Sequence, residues 1–198
     1  MLQASPRGLF KRSSLLLIAG EPNLHRLVGN IPDGTIVGAR GPHGIFAKKS
    51  PLNDWLRGIY REKTGRDPNY PAYSAAQAFL GLKAAYEKAR LDKIKQAVPM
   101  GAAAGVKEGM EEAYGMPRTE EVIAAFEYLT FDGPSGKVMM KLGKGHQAVQ
   151  GTAYGTTRTV DGTVKIENIQ YFPVEQVQPP EGVGSIEWIN GGLKPGKW

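Results

Sequence analysis

Tyr70-Pro-Ala-Tyr-Ser-Ala-Ala-Gln-Ala-Phe-Leu-Gly-Leu-Lys-Ala-Ala-Tyr-Glu-Lys88 is the stretch on which the reading of the fold turns. Pro71 suits a first helical position, where its missing N–H costs nothing, and good helix formers follow it. The segment therefore predicts a helix. Ala72, Ala75, Phe79, Leu82, Tyr86 and Ala89 recur at steps of three and four, beside a second stripe of small side chains, Ser74, Ala78, Gly81 and Ala85. That is the pattern of a helix packed closely on a sheet. Tyr70 and Tyr73 fall at its start, where backbone N–H groups point outward and can hold a carboxylate or an amide oxygen. Half-buried packing residues would read the same way.

Outward from this helix, the chain has 198 residues, enough for one sizeable core or two small ones, and its 26 glycines and 14 prolines fit an α/β protein with short connections. With no cysteine there are no disulfides, no Cys-based zinc site and no thiol nucleophile. The net charge of +6 is scattered along the sequence and not focused, and no aromatic-basic motif accompanies it, so nucleic acid is not an expected partner. Neither a cofactor nor a metal is expected. Residues 1–14 read as an N-terminal extension with Arg7, Lys11 and Arg12 ahead of a five-residue apolar run, shorter than the roughly 7–15 of an export signal. No segment approaches the ~20 apolar residues of a membrane span.

Leu15-Leu-Leu-Ile-Ala19 reads as a strand buried on both faces in a parallel sheet. The loop Gly20-Glu-Pro-Asn23 follows at the strand's carboxyl end, where open α/β sheets bind ligands. Glu21 is thus either a ligand contact or a solvated turn carboxylate. A second short strand is expected over Thr35–Ala39, and Arg40-Gly-Pro-His-Gly44 breaks the chain as a hinge or crossover would. His43 reads as a surface residue, since no acidic partner stands at a telling spacing. Ser50 and Pro51 open a helix, with Leu52, Trp55, Leu56, Ile59 and Tyr60 on one face and Gly65 at its end. Leu91–Gly115 is helical in composition but broken at Pro99-Met-Gly-Ala. Thr119 is expected to cap an amphipathic helix with Val122, Ile123, Phe126 and Leu129 inward, although Glu121 falls one residue short of the box position. Beyond it come a tight turn over Phe131–Gly136, a strand over Lys137–Lys141, an extended run over Gln147–Val160, an Asp161-Gly162 turn and a strand over Thr163–Phe172. From Pro173 no regular periodicity is visible.

In this order, strand, Gly-Glu-Pro loop, strand, hinge, Tyr-Pro-Ala-Tyr-Ser-Ala-Ala-Gln-Ala, then Leu-Thr-Phe-Asp-Gly-Pro-Ser-Gly-Lys-Val and Gly-His-Gln-Ala-Val-Gln, the chain resembles the C-terminal half of a type I periplasmic binding protein. The nearest group is the branched-chain amino-acid and amide binding family of ABC importers, and the resemblance runs from about Leu15 to Val177. It implies an α/β, two-lobed fold, incomplete because the N-terminal half is absent. Residues 15–40 and 151–198 would belong to the second lobe and 41–150 to the first. It also implies a non-enzymatic substrate-binding component of an extracytoplasmic kind, despite the missing export signal. The expected partners are a small polar solute, the permease subunits and the missing N-terminal lobe. Glu21 matches the loop whose acid meets a ligand ammonium in amino-acid binders. Tyr70 and Tyr73 match the aromatic position before the first-lobe helix, with the choice between them open, and Arg40, His43 and Phe46 fall near the hinge. The alternatives are a ligand-sensing regulatory domain of the same fold and a truncated product that binds nothing by itself. An enzyme ranks third, because it would need a nucleophile and a base in contact.

Overall fold

The computed structural model describes residues 7–18, 20–101 and 115–195. The chain divides into two compact units: Met1–Ala76 with Pro134–Gly136 and Gln150–Trp198, and Gln77–Gly133 with Lys137–Val149. One boundary between these units falls inside the Tyr70 helix, between Ala76 and Gln77.

The first unit is built on a four-stranded sheet, β1 (Leu16–Leu17), β2 (Ile36–Gly38), β6 (Thr152–Val160) and β7 (Thr163–Phe172), in that spatial order. β1 runs parallel to β2, and β2–β6 and β6–β7 are antiparallel. Asp161 and Gly162 both take positive φ, 51° and 70°, as a two-residue hairpin turn between twisted strands requires. Leu24, Ile31, Val37, Phe46 and Ala153 form the core under this sheet, joined by Leu17, Leu27 and Ile166. Buried Thr35 and Thr157 tie the loop at Pro32 to β6: Thr157 Oγ1 accepts the Thr35 N–H at 3.1 Å and donates to the Pro32 carbonyl at 2.8 Å. From Pro173 on, where periodicity failed, there are two short helices, α4 (Val174–Val177) and α5 (Ser185–Asn190).

Helix α1 (Pro51–Thr64) begins and ends as its caps dictate: Ser50 Oγ accepts the Asn53 N–H at 3.1 Å, and Gly65 closes the helix at φ 68°. Its inward face differs from the expectation. Asn53 and Leu56 are buried whereas Trp55 and Ile59 are exposed. The helix is rotated by one position because buried Asn53 bonds the Lys48 carbonyl (2.9 Å) and the Tyr73 hydroxyl (2.6 Å).

Helix α2 runs from Tyr70 to Gly101, through Pro99 where a break was expected; the rest of that excursion, 102–114, lies outside the described residues. In the second unit its small residues face inward. Ala85 and Ala89 pack with Val122 and Ala125 of α3 (Thr119–Phe126), and a side chain at Gly81 would come within 2.8 Å of the Phe131 ring. The large members of the neighbouring stripe, Phe79, Leu82 and Tyr86, are exposed, Phe79 by 74%. Two aromatic rings, Phe126 and Phe131, border this face, and bulk on one side of the contact requires its absence on the other. At α3 the cap is Arg118, not Thr119, which puts Glu121 at the third helical position; its Oε2 accepts the Arg118 N–H at 2.7 Å. Ile123 turns outward, and Val122 and Ala125 inward. A three-stranded sheet, β3 (Thr130–Gly133), β4 (Gly136–Leu142) and β5 (Gln147–Val149), completes the second unit. The extended run expected over Gln147–Val160 is therefore two strands in two sheets.

Candidate functional site

The site is assembled from three loops of the first unit. The turn after β1 carries Glu21 into a 3₁₀ helix, Glu21–Arg26, against a second one, Gly44–Phe46. Gly44 takes φ +59°, and a side chain there would fall inside the Glu21 carboxylate. Glycine is the residue that lets this chain segment lie against the acid. The backbone N–H groups of Ile45 and Tyr70 hydrogen-bond the carboxylate, while Glu21 Oε2 is buried with no hydrogen-bond partner among the described residues. Glu21 as a whole is 8% exposed.

Glu21 lies on the wall of a cavity of about 1080 Å³. Arg26, Arg57, Arg66 and Lys165 also line it, together with Tyr60 and Asp67. Asp67 is engaged by two guanidiniums, Arg57 at 3.2 Å and Arg61 at 2.6 Å, and the Arg61 hydrogen bond holds its carboxyl below the usual range. The cavity thus combines an excess of cationic side chains with a single deeply placed acid. Such an arrangement suits a solute that bears both a carboxylate and a hydrogen-bond donor.

Of the residues singled out from sequence, Glu21 borders the cavity, and Tyr70 contributes its N–H to the acid while its half-buried ring does not line the space. Tyr73 is fully buried, its hydroxyl donating to Asn53 and its ring stacked on His43 with centroids 5.7 Å apart. His43 is not a surface residue: it is buried, with Nδ1 2.7 Å from Ser135 Oγ. Phe46 belongs to the hydrophobic core, and Arg40 is exposed, with its carbonyl bonded to His43. Sequence reasoning missed Arg57, Arg66 and Lys165. The spacing of Arg57 and Arg61 at i and i+4, with Arg66-Asp67 just past the Gly65 cap, was a visible signal for the first two.

The Ser135–His43 contact brings a hydroxyl and an imidazole together, as a hydrolytic pair would require. Its surroundings are those of a structural contact. Both residues are buried, neither lines the cavity, and the ring's other bond goes to the Arg40 carbonyl and not to a carboxylate.

Two buried groups titrate in opposite senses. Burial lifts the Glu21 carboxyl from an ordinary 4.5 to about 7, against the pull of the Ile45 and Tyr70 N–H groups. Burial lowers His43 from 6.5 to about 4, against the Arg40 carbonyl. Raised above its unfolded value, Glu21 contributes stability that is complete below pH 4.5 and lost as the pH rises through 7. Lowered, His43 contributes stability complete above pH 6.5 and lost as the pH falls through 4. Each effect is on the order of 3 kcal/mol, so the two offset one another between pH 4.5 and 6.5. Glu21→Gln is expected to unmask a stability that rises with pH across this window, measured by urea denaturation at each pH. A profile as flat as that of the parent would rule out the buried acid.

No protein-family model matches the sequence, and no curated protein matches it. Solved structures do match. One is an ABC-type branched-chain amino acid transporter from Rhodopseudomonas palustris CGA009, at 19% identity over 78% of this chain and 34% of that one, with a TM-score of 0.54. Another is the solute binding protein of an ABC transporter from R. palustris BisB5 in complex with 3,4-dihydroxybenzoic acid, at 18% identity over 88% and 41%, TM-score 0.53. A third, an ABC-transporter solute binding protein from R. palustris in complex with 4-hydroxybenzoate, matches at 17% identity over 86% and 40%, TM-score 0.54. The chain therefore carries part of the α/β, two-lobed type I periplasmic-binding-protein fold and spans about 34–41% of the length of these structures. Among the described residues no helix is long and apolar enough to cross a membrane.

Proposed function

We propose that this chain supplies part of the solute grip of a substrate-binding protein that serves an ABC importer outside the cytoplasm. The observation that carries the reading is Glu21, a buried acid with an unpartnered oxygen on the wall of a cavity that Arg26, Arg57, Arg66 and Lys165 also line. The solute class it favours is a small carboxylate that also bears an ammonium or a hydroxyl. The cationic side chains take the carboxylate and Glu21 takes the donor. Branched-chain amino acids and hydroxybenzoates, the compounds named for the structural neighbours, are both carboxylates with such a donor, on the adjoining carbon in the first and across the ring in the second. Residues 15–40 and 151–198 are assigned to one lobe and 41–150 to the other, with the remaining strands and the permease as partners.

The protonation of Glu21 separates the two solute types. With its carboxyl near pH 7, Glu21 is about half protonated in neutral buffer, and an ammonium seated against it stabilises the ionised form. Binding of leucine is expected to release about half a proton at pH 7, whereas 4-hydroxybenzoate, whose neutral hydroxyl can donate to the ionised acid or accept from the protonated one, is expected to release less. Calorimetry in buffers of different ionisation enthalpy measures this directly. Glu21→Gln is expected to abolish the release and to weaken binding by ~1–3 kcal/mol. Equal affinity in parent and variant would remove Glu21 from the site.

A further inference from the structure

The two backbone N–H groups that hold Glu21 are unequally supported. Tyr70 is the first residue of α2, and a long helix sets its peptide. Ile45 is the middle of the three-residue turn Gly44–Phe46; its own side chain is exposed, and no side chain caps the turn. The anchors of that turn stand at its two ends. Phe46 is buried in the core, and its N–H donates to the His43 carbonyl at 3.0 Å. His43 is held in turn by its ring, which stacks on Tyr73, places Nδ1 2.7 Å from Ser135 Oγ and bonds the Arg40 carbonyl. The chain at Gly41, φ +105°, passes so near that a side chain there would come within 2.6 Å of Nε2. Burial keeps the imidazole neutral at pH 7. With one ring nitrogen donating to the Arg40 carbonyl, Nδ1 is an acceptor, and the Ser135 hydroxyl is its donor. Ser135 lies in the Pro134–Gly136 segment of the first unit and is buried.

We propose that Ser135 is a positioning residue for Glu21: its hydroxyl fixes the His43 ring, and through it the turn that presents the Ile45 N–H to the carboxylate. Without the hydroxyl, Nδ1 is a buried acceptor that has lost its donor, and the ring gains by turning toward water, carrying the N-terminal end of the turn with it. The Ile45 N–H then no longer favours the ionised acid. The titratable groups that line the cavity with Glu21, namely Arg26, Arg57, Tyr60, Arg66, Asp67 and Lys165, are not altered by the change, nor is the Tyr70 N–H. The inference deepens the proposed solute site and rests on that reading only for its effect on binding. It gives the buried hydroxyl–imidazole pair a role other than hydrolysis.

The test is the titration of the Glu21 carboxyl by side-chain carbon NMR on the full chain, its resonance assigned by its loss in Glu21→Gln. Ser135→Ala is expected to raise the midpoint above about 7 by roughly half a pH unit or more. Ser135→Thr keeps the hydroxyl and should restore it. Thr157→Val breaks a buried hydroxyl contact elsewhere in the same unit and should lower stability without moving the midpoint. An unmoved midpoint in Ser135→Ala, an equal rise in Thr157→Val, or a rise in Ser135→Thr as large as in Ser135→Ala would each overturn the role. Calorimetry with leucine gives the consequence for binding. At pH 7 the smaller ionised fraction should weaken leucine about two- to fivefold in Ser135→Ala, with the difference gone at pH 9, where the acid is ionised in both proteins. A raised midpoint in a chain that binds no leucine upholds Ser135 and rejects the solute reading, whereas leucine bound with the midpoint unmoved rejects Ser135 alone.

Discussion

Gly44→Ala is expected to destabilise the protein by ~2.5–5 kcal/mol, a large share of the ~5–15 kcal/mol that holds a domain folded. Two effects combine. A non-glycine residue at φ +59° costs ~1–2 kcal/mol in backbone strain. The added carbon also occupies the space of the Glu21 carboxylate, so the acid must leave the N–H groups of Ile45 and Tyr70, and hydrogen bonds to a charged group are worth ~1.5–3 kcal/mol. Glu21→Ala removes the obstruction. In that background Gly44→Ala should cost only the backbone term, and the difference measured in a double-mutant cycle is the part owed to the acid. An identical cost in both backgrounds would show that Gly44 and Glu21 are not in contact.

Tyr73→Ala is expected to cost ~3–5 kcal/mol, the range for emptying a large aromatic site in a close-packed interior. The ring is fully buried against His43, and its hydroxyl donates to Asn53 Oδ1 at 2.6 Å. Tyr73→Phe keeps the ring and leaves that oxygen buried and unpaired, for ~1–3 kcal/mol. These numbers separate two roles for one residue. A ligand contact would lose affinity in Tyr73→Phe with little change in stability, whereas the observed packing requires lost stability with affinity intact. Denaturation and calorimetry on the same sample give both values.

The residues around Tyr73 show how far local pattern reaches. Ser50, Pro51 and Gly65 set the limits of α1 because capping is satisfied within a few residues of chain. The Asp161-Gly162 turn fixes its hairpin for the same reason. At α3 the box geometry was legible but read one residue late, since Thr119 is the better capping side chain and Arg118 takes the position because Glu121 reaches back to its N–H. For α2 the helix itself was legible and its orientation was not. Two stripes of equal period ran along it, and the choice between them rests with Val122, Ala125 and Phe131, more than thirty residues on.

Glu21 was singled out from its place after an apolar strand, a rule of topology that needs no coordinates. What surrounds it was not found. His43 and Ser135 are 92 residues apart, and Thr163–Ile166 reach the cavity wall from the far end of the chain.

By itself, then, the sequence determined that this is an α/β chain with an acid placed after its first strand and helices whose ends are set by their own caps, because those features answer to interactions a few residues long. Only the tertiary structure decided that Tyr73, His43 and Phe46 are interior while Glu21 borders a cationic cavity. Burial is a property of what long-range packing brings against a side chain, and no local pattern carries that information.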